Sequence, residues 1–146
     1  QTRIHYEPGI LTARAFYTDK YGSRGISCDT LRTAGDPFAI AMDPDKFALR
    51  ADGTDMLHIT TKIVDSVGTL APHSSHRVNY VVKGPGKLKV IDNGDLADHT
   101  PYGSFSREVR GGKHLVIIQA GNEPGDLIIN ASASGLNPAR VKIQSK

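Results

Sequence analysis

The sequence predicts an all-β chain made of short strands, and three observations support this prediction. Glycine and proline, 15 and 8 of the 146 residues, are spread along the whole chain, which favours many short strands over long helices. Apolar and polar residues alternate with a period of two in several segments, as they do in half-buried strands. The pattern Glu-Pro-Gly-x-Leu also occurs twice, at residues 7–11 and 123–127.

The repeated pattern predicts a repeated turn. Proline fixes φ at the first central position of a tight turn, and glycine accepts a positive φ at the second. Glu7-Pro8-Gly9 and Glu123-Pro124-Gly125 are therefore each expected to be a corner that feeds a strand. Because a repeated corner implies a repeated module, we predict parts of two similar β-modules joined end to end.

Residues 1–37 are predicted to hold the last strands of the first module. Strands are expected at residues 3–6, 10–17 and 25–33, and about three strands are marginal as an independent fold. The sequence also begins without a signal peptide. We therefore expect it to be a segment of a longer polypeptide, with a break between the modules at residues 33–37.

Residues 38–146 are predicted to form a complete module. Nine strands are expected, at residues 38–42, 47–50, 56–65, 78–82, 88–91, 104–109, 115–119, 126–133 and 139–143. Leu57, Ile59, Thr61 and Ile63 are expected to face inward, and Gly84-Pro85-Gly86 is expected to end the strand at 78–82. Short strands at a spacing of roughly ten residues indicate a Greek-key β-sandwich rather than a βαβ fold.

Composition and charge argue against several classes of function. The net charge is +3, but the basic residues are scattered and form no basic face, which argues against nucleic-acid binding. The apolar runs are too short to span a bilayer. Cys28 is the only cysteine, so an internal disulfide and a thiolate metal cluster are excluded. Its alternation with polar neighbours predicts a buried side chain.

Several phrases stand in a fixed order along nearly the whole chain. They are Tyr6-Glu7-Pro8-Gly9, Thr33-Ala34-Gly35, Ala51-Asp52-Gly53-Thr54-Asp55, Val64-Asp65, Lys83-Gly84-Pro85-Gly86, Asn93-Gly94-Asp95 and Glu123-Pro124-Gly125. This order resembles the C-terminal region of bacterial glycoside hydrolase family two enzymes of the β-galactosidase-like group. In those enzymes immunoglobulin-like modules follow the catalytic barrel.

The resemblance implies an immunoglobulin-like module at residues 38–146 and the last strands of a similar upstream module at residues 1–37. It also implies a non-catalytic accessory role in a periplasmic or extracellular bacterial enzyme, packed against that enzyme's other domains and without a cofactor. Two alternatives stay open. One is a carbohydrate-binding module proper, and the other is an immunoglobulin-like spacer of a surface adhesin, which shares the phrase Ala51-Asp52-Gly53.

No catalytic residue is predicted in this chain. A retaining glycosidase needs two carboxylates about 5 Å apart, carried on a barrel of about 250 residues. Glu7 and Glu123 occupy the same place in the two corners, and Glu108 has no predicted partner. The aspartates beside Pro, Gly or Ser are expected to cap backbone N–H groups. These are Asp43, Asp45, Asp52, Asp55 and Asp65.

A metal site is the weaker of two interpretations of the acidic segment that follows the strand at 88–91. Asp92, Asp95 and Asp98 could supply oxygen ligands to Ca²⁺, but their spacing is not that of an EF-hand loop. Asn93-Gly94 is a strong tight-turn signal, so we favour a turn. His73 and His76 have no third ligand nearby in the sequence, which favours solvated imidazoles over a zinc site.

Residues 98–107 are the predicted place for a sugar contact. Tyr102 and Phe105 lie in a polar loop together with His99, and the C–H faces of sugar rings stack on aromatic rings. The alternative is structural: Phe105 begins the next strand and is buried, while Tyr102 packs over the sandwich edge. We favour this alternative because the chain has no tryptophan.

Overall fold

The computed structural model describes residues 7–146 and divides the chain into two compact units, one ending at Ala34 and the other beginning at Gly35. The described residues form strands and turns, with no helix among them. Accordingly, residues 7–146 contain no helix that is long and apolar enough to cross a membrane. The strand expected at residues 3–6 lies outside the described part of the chain.

The first unit contains an antiparallel hairpin of β1 (Ile10–Thr18) and β2 (Arg24–Arg32). Its loop is held by Asp19, whose Oδ1 accepts the backbone N–H groups of Tyr21 and Ser23, both at 2.8 Å. Almost every residue of the two strands is exposed, because a two-stranded ribbon supplies no second layer. The prediction that Cys28 is buried is therefore wrong: its thiol is exposed, opposite Arg14.

The second unit consists of nine strands in two sheets. They are β3 (Ala39–Pro44), β4 (Ala48–Leu49), β5 (Met56–Val64), β6 (Arg77–Lys83), β7 (Gly86–Asp92), β8 (Ser106–Glu108), β9 (Lys113–Ala120), β10 (Gly125–Ser132) and β11 (Ala139–Ser145). One sheet has the order β3-β5-β9-β7 and the other β4-β11-β10-β6-β8. Among these strands β4 and β11 pair in parallel and the other neighbours pair antiparallel. The all-β sandwich predicted from the sequence is confirmed.

The core lies between the two sheets and follows the predicted alternation. Leu57, Ile59, Thr61 and Ile63 of β5 are all fully buried, as expected for the inner face of a strand. Residues of the other sheet complete the cluster, among them Val78, Leu127, Ile129 and Ile143. Burying apolar side chains from both sheets in one layer supplies most of the driving force for folding of this unit.

Gly84-Pro85-Gly86 carries the chain from one sheet to the other, since β6 and β7 belong to different sheets. Gly84 has a φ of 104°, and a Cβ atom there would overlap the backbone carbonyl oxygen of Asp126. Glycine is therefore required both by the left-handed backbone and by the close approach of β10. The predicted end of the strand is confirmed at this position.

The glycines of the two repeated corners have nearly the same φ. Gly9 has a φ of 154° and Gly125 a φ of 153°, so both glycines have the positive φ that the sequence predicts. Each corner is an open bend that leads directly into a strand rather than a compact tight turn: β1 begins after Gly9 and β10 begins at Gly125.

The structure corrects the expected strand at residues 104–109. The regular strand β8 begins only at Ser106, because the chain bends at Phe105. Alternation with Arg107 and Val109 would place Phe105 inward, but its side chain is 60% exposed. The interpretation that Phe105 is buried at the start of a strand is therefore wrong.

Candidate functional site

The β7–β8 loop, residues 93–105, presents several exposed side chains close together in the sequence. Tyr102 and Phe105 are 59% and 60% exposed, Leu96 is 99% exposed, and His99 is also exposed. The C-terminal end of the loop is tied to the sandwich at two points, because the carbonyl of Tyr102 accepts Ile91 N–H and that of Phe105 accepts Tyr80 N–H, each at 2.8 Å. The predicted sugar-contact residues thus share one loop with Leu96, which sequence reasoning missed.

A series of side chain to backbone hydrogen bonds shapes this loop. Asp92, Asn93, Asp95 and Asp98 each accept the backbone N–H of the residue two positions later, at 2.8–3.0 Å. Such bonds are typical of Asx turns, in which Asp or Asn replaces a backbone group of the turn. Gly94 has a φ of 71°, which agrees with the tight turn predicted at Asn93-Gly94.

Arginines pair with two of the three carboxylates that the sequence offers as weak metal ligands. Asp95 pairs with Arg110, and an oxygen of Asp98 lies 3.3 Å from a guanidinium nitrogen of Arg107. Asp98 also accepts Asn93 Nδ2 at 2.9 Å. Hydrogen bonds from the Thr100 side chain and backbone, assisted by the Arg107 charge, lower the pKa of Asp98 to about 2. In residues 7–146 no three His, Cys, Asp or Glu side chains are grouped so that they could hold a metal ion.

Arg107 connects the loop to the interior of the sandwich. It lies on the inner side of β8 and is 1% exposed, which is unusual for a charged residue. Its Nη2 donates to the Thr100 carbonyl, and its guanidinium carbon lies 5.1 Å from the centroid of the Tyr102 ring. This distance suits a cation–π interaction between Arg107 and the Tyr102 ring. Arg107 therefore contacts both the backbone and an aromatic side chain of the loop.

A second buried polar group joins the two sheets. The Tyr80 hydroxyl lies 2.6 Å from Thr61 Oγ1 and 2.6 Å from His114 Nε2, with Tyr80 in one sheet and the other two residues in the facing sheet. Burial raises the pKa of Tyr80. Burial, with the Arg107 charge acting in the same direction, lowers the pKa of His114 to about 4. Sequence reasoning missed His114 because the predicted strand began one residue later, at Leu115.

A polar cleft of about 350 Å³ opens beside the start of the loop. Its lining combines cations, a carboxylate, an amide and a hydroxyl. The residues are Thr60, Asp92, Asn93, Gly94, Arg110, Lys113, His114 and Leu115. Side chains of these types can donate hydrogen bonds to, and accept them from, polar groups of a ligand. The scattered distribution of Asp92, Arg110 and Lys113 along the sequence gave no signal of this grouping.

The carboxylates outside the loop have structural partners. Asp65 accepts three backbone N–H groups, from Gly35, Val67 and Thr69, and Asp52 accepts those of Thr54 and Asp55. Asp55 bonds to Lys46 Nζ and to the Arg50 N–H, which together lower its pKa to about 2.

The remaining acidic candidates are bound to cationic side chains or exposed at corners. Asp43 pairs with Lys62. Asp45 accepts the backbone N–H of His58 at 3.0 Å, and its other carboxylate oxygen lies 3.2 Å from His58 Nδ1. Glu108 lies 3.1 Å from Arg77 Nη2. Glu7 and Glu123 are exposed at the two corners.

The two histidines of the β5–β6 connection do not form a joint site. His73 is exposed, whereas His76 is half-buried with its Nδ1 2.8 Å from Ser74 Oγ. The hydrogen bond to Ser74 fixes the ring orientation of His76. The His73 ring is open to solvent. The prediction of two solvated imidazoles therefore agrees with the structure at His73 and is wrong at His76.

Comparisons with known proteins give one consistent family. The family model described as glycoside hydrolase family 2 C-terminal domain 5 matches residues 40–142. Beta-galactosidase BoGH2A of Bacteroides ovatus is 33% identical over 144 residues, which cover 99% of this chain and 16% of that protein.

Solved structures give the same result. The crystal structure of a glycosyl hydrolase family 2 member from Bacteroides cellulosilyticus superposes with a TM-score of 0.87 at 26% identity, covering 98% of this chain and 18% of that one. A beta-glycosidase from Bacteroides vulgatus gives a TM-score of 0.87 at 26% identity, covering 97% and 18%. The chain thus spans 16–18% of the length of these relatives. Since the matched model includes most of the second unit, the chain belongs to the family of C-terminal domains 5 of glycoside hydrolase family 2.

Proposed function

We propose that this chain is a non-catalytic accessory module of a bacterial β-galactosidase-like glycoside hydrolase. The observation that carries the proposal is the family match, which aligns residues 40–142 with a C-terminal domain of such enzymes. The relative from Bacteroides ovatus is named a beta-galactosidase and is much longer than this chain. Its remaining length provides room for a catalytic barrel, which needs about 250 residues.

The carboxylate chemistry of the chain supports placing catalysis elsewhere in the parent. A retaining glycosidase requires an acid and a nucleophile about 5 Å apart on either side of the scissile bond. Here Glu108 forms an ion pair with Arg77, and the aspartates cap turns or pair with cations. We assign the retaining mechanism to the barrel of the parent and a periplasmic or extracellular location to the whole enzyme, both on the family resemblance.

The main role of the module is packing against other domains of the parent. Residues 38–146 form the complete immunoglobulin-like module, and residues 1–37 are the last strands of a similar module upstream. The division of the chain between Ala34 and Gly35 supports this arrangement. Cofactors, nucleic acids and membranes have no part in the proposed role.

Deleting the module from the parent enzyme tests this role. If residues 38–146 only stabilise neighbouring domains, the shortened parent should keep its kcat for nitrophenyl β-galactoside within about threefold at low temperature but lose activity faster on heating. Thermal inactivation and initial rates of both enzymes provide the comparison. Loss of kcat in a shortened enzyme with unchanged thermal stability would contradict a purely accessory role.

A weak glycan contact is the second candidate function, and the exposure of Tyr102 and Phe105 favours it. Arg107 supports the Tyr102 ring, and the cleft beside Asp92 offers polar groups to sugar hydroxyls. With two aromatic rings and no tryptophan, affinity should be millimolar, or about −4 kcal/mol.

Titration with galacto-oligosaccharide, followed by NMR, distinguishes the two roles. Chemical-shift changes confined to residues 98–107 and the cleft would support glycan contact, and Tyr102→Ala should abolish them. Leu96→Ala is the matched control, because it removes an exposed side chain of the same loop without removing an aromatic ring. The absence of any shift would leave packing as the role of the module.

A further inference from the structure

The sheet β3-β5-β9-β7 carries aliphatic side chains on the side that faces away from the core. Leu115 and Ile117 of β9 alternate with buried residues of the same strand, so they point outward. Met56 of β5 and Val90 of β7 lie on the same side of the sheet. All four side chains are half-buried, and together they are called the outer apolar strip below.

The residues of the strip are neighbours across three strands. Ile117 lies opposite Val90 of β7. Met56 of β5 lies opposite Gln119, the next outward residue of β9. Residues 115–118 of β9 form an unbroken apolar run, which is typical of a strand that is buried on both faces. The second unit has two sheets and therefore buries one face of this strand between them.

A β-bulge in β7 turns Val90 outward. The register of β7 against β9 shifts between Leu88 and Val90, and both Leu88 and Ile91 are buried in the core. Strict alternation from Leu88 would place Val90 inward and Ile91 outward. Bulges often re-aim a side chain in this way. The bulge thus places an aliphatic side chain beside Ile117 while the core keeps two residues of β7.

The outer face of the other sheet shows how the module itself can cover an outward isoleucine. Ile128 of β10 is also half-buried, but it lies opposite Lys83 on one side and Lys142 on the other. The aliphatic stems of lysine cover apolar surface while the ammonium group stays in water. Ile117 has a histidine and a valine at these two positions, so neither of its opposite neighbours supplies such a stem.

Lysines flank the strip at both ends of β9. Lys62 and Lys113 lie opposite each other, and a like-charged pair of this kind is unfavourable. Asp43 forms a salt bridge with Lys62. In the described part of the chain, Lys113 and Lys87, which are both exposed, form none. A surface that covers the strip would therefore be complementary if it carried carboxylates at its edges.

The size of the face decides which kind of partner it fits. Four strands about 4.8 Å apart, with about seven residues each, form a face of roughly 450 Å². A stable complex between separate proteins buries about 800 Å² on each partner. Interfaces between domains of one chain begin at about 600 Å² in total, or about 300 Å² on each side. The face is therefore large enough for a covalently linked domain and too small by itself for a second copy of this chain.

We propose that the outer apolar strip is the surface through which this module packs on another domain of the parent enzyme. The partner is an apolar surface of a domain outside this sequence, with carboxylates at its edges that pair with Lys87 and Lys113. The inference rests on the proposed packing role and identifies the face that performs it. The relatives have the length for such a domain, since this chain spans 16–18% of them.

The proposal has a consequence for the polar cleft. Leu115 belongs to the strip, and it lines the cleft together with Lys113. A domain that packs on the strip would close the cleft in the intact parent. Residues 98–107 would then be the part of the module that stays open to a glycan.

Lysine labelling without any substitution tests which face is covered. This 146-residue chain and the parent enzyme are treated briefly with an amine-reactive acetylating reagent, and the modified peptides are quantified by mass spectrometry. Lys87 and Lys113 report on the strip. Lys83 is the matched control, because it is an exposed lysine on the outer face of the other sheet.

In the isolated chain the three lysines should label at similar rates. In the parent, Lys87 and Lys113 should label slower by roughly fivefold or more, because an interface excludes water and reagent, while the rate at Lys83 stays unchanged. Unchanged rates at Lys87 and Lys113 in the parent would overturn the proposal. Protection of these two lysines in the isolated chain that increases with protein concentration would assign the strip to a second copy and would also overturn it.

A pair of substitutions tests whether the apolar side chains hold the contact. Ile117→Gln removes an outward isoleucine of the strip, and Ile128→Gln removes an outward isoleucine of the other sheet. Since both side chains point away from the core, each variant should lower the unfolding midpoint of the isolated chain by a similar small amount. In the parent, only Ile117→Gln should restore fast labelling at Lys113. The same loss of protection with Ile128→Gln would overturn the proposal.

Two outcomes separate this inference from the proposed function. Slow labelling of Lys83 in place of Lys87 and Lys113 would support the packing role and overturn the inference, because the module would then pack through its other sheet. A parent that lacks glycosidase activity but protects Lys87 and Lys113 would contradict the proposed function and support the inference.

Discussion

Arg107 is a cationic side chain at a position with 1% exposure, and its partners satisfy part of its hydrogen-bonding capacity, while its Nε has no hydrogen-bond partner. It pairs with Asp98, donates to the Thr100 carbonyl and lies beneath the Tyr102 ring. A buried cation of this kind costs free energy unless its hydrogen bonds are made, and removing one partner leaves the other uncompensated. The geometry of the exposed loop thus depends on one residue inside the sandwich.

Replacing Arg107 by methionine should therefore destabilise the chain by about 2–4 kcal/mol, because Asp98, 18% exposed, loses its cation. Arg110→Met is the matched control: Arg110 also pairs with a loop aspartate but is 57% exposed, so its loss should cost less than about 1 kcal/mol. Urea unfolding of the three proteins gives the comparison. Similar losses for both variants would contradict a special role for Arg107.

His114 predicts a pH dependence of stability with a defined sign. Its pKa is about 4 in the folded chain against 6.5 as the ordinary value, so between these pH values the unfolded state binds a proton that the folded state does not. Stability should consequently fall as pH decreases from about 6.5 to about 4, by at most about 3 kcal/mol. Asp55 and Asp98, with folded pKa values of about 2, lose their contribution in a lower window, from about pH 4 to pH 2.

His114→Gln keeps a hydrogen-bonding group near Tyr80 but cannot take up the proton. The variant should flatten the decrease between pH 6.5 and 4 and leave the decrease below pH 4 in place. Unfolding free energies at several pH values measure both windows, and His99→Gln controls for the loss of a histidine. An unchanged slope in His114→Gln would contradict the assignment.

At the scale of strands and turns, the repeated corner is the feature that both sequence and structure identify. The positive φ of Gly9 and Gly125 follows from sequence pattern alone, as does the inward face of β5. Period-two alternation is reliable where a strand is paired on both sides and buried on one face. Alternation was less informative at Phe105, because the regular strand β8 begins only after it. It was also less informative at Cys28, because no second layer covers the β1–β2 ribbon among the described residues.

The buried polar residues could not be predicted in the same way. Arg107 and His114 occupy inward positions of β8 and β9, but their partners come from other strands and from a loop. Long-range pairing of this kind depends on how two sheets face each other, which a local pattern does not specify. The cleft lined by Asp92, Arg110 and Lys113 was missed for the same reason.

The corner itself provides a test at this scale. Gly125→Val should destabilise the chain by about 1–3 kcal/mol, because it places a β-branched residue at a φ of 153° and its Cβ would lie 3.4 Å from Pro85 Cγ. Glu123→Gln should have a much smaller effect, since the Glu123 side chain is exposed. Thermal unfolding of both variants measures the difference. Equal, negligible effects would mean that the corner does not have the conformation described.

At the scale of the whole molecule, residues 38–146 carry enough strands to close two sheets, whereas residues 1–37 do not. Deleting residues 1–37 should leave a single cooperative unfolding transition. Deleting only residues 1–34 should give a protein that is more stable than the one lacking residues 1–37. The reason is that the N–H of Gly35, which bonds to Asp65 at 2.9 Å, is then retained. Calorimetry of both shortened chains provides the measurement. An unfolded or molten product from either deletion would place the first segment in the same core.

We propose that this module supports a glycosidase without carrying out its chemistry. The rate at which the 146-residue chain hydrolyses nitrophenyl β-galactoside, measured beside the parent enzyme, tests this claim. Since Glu108 is paired with Arg77 and the two corner glutamates are exposed, the isolated chain should hydrolyse no faster than buffer while the parent is active. Turnover by the purified chain that disappears in Glu108→Gln would contradict the claim.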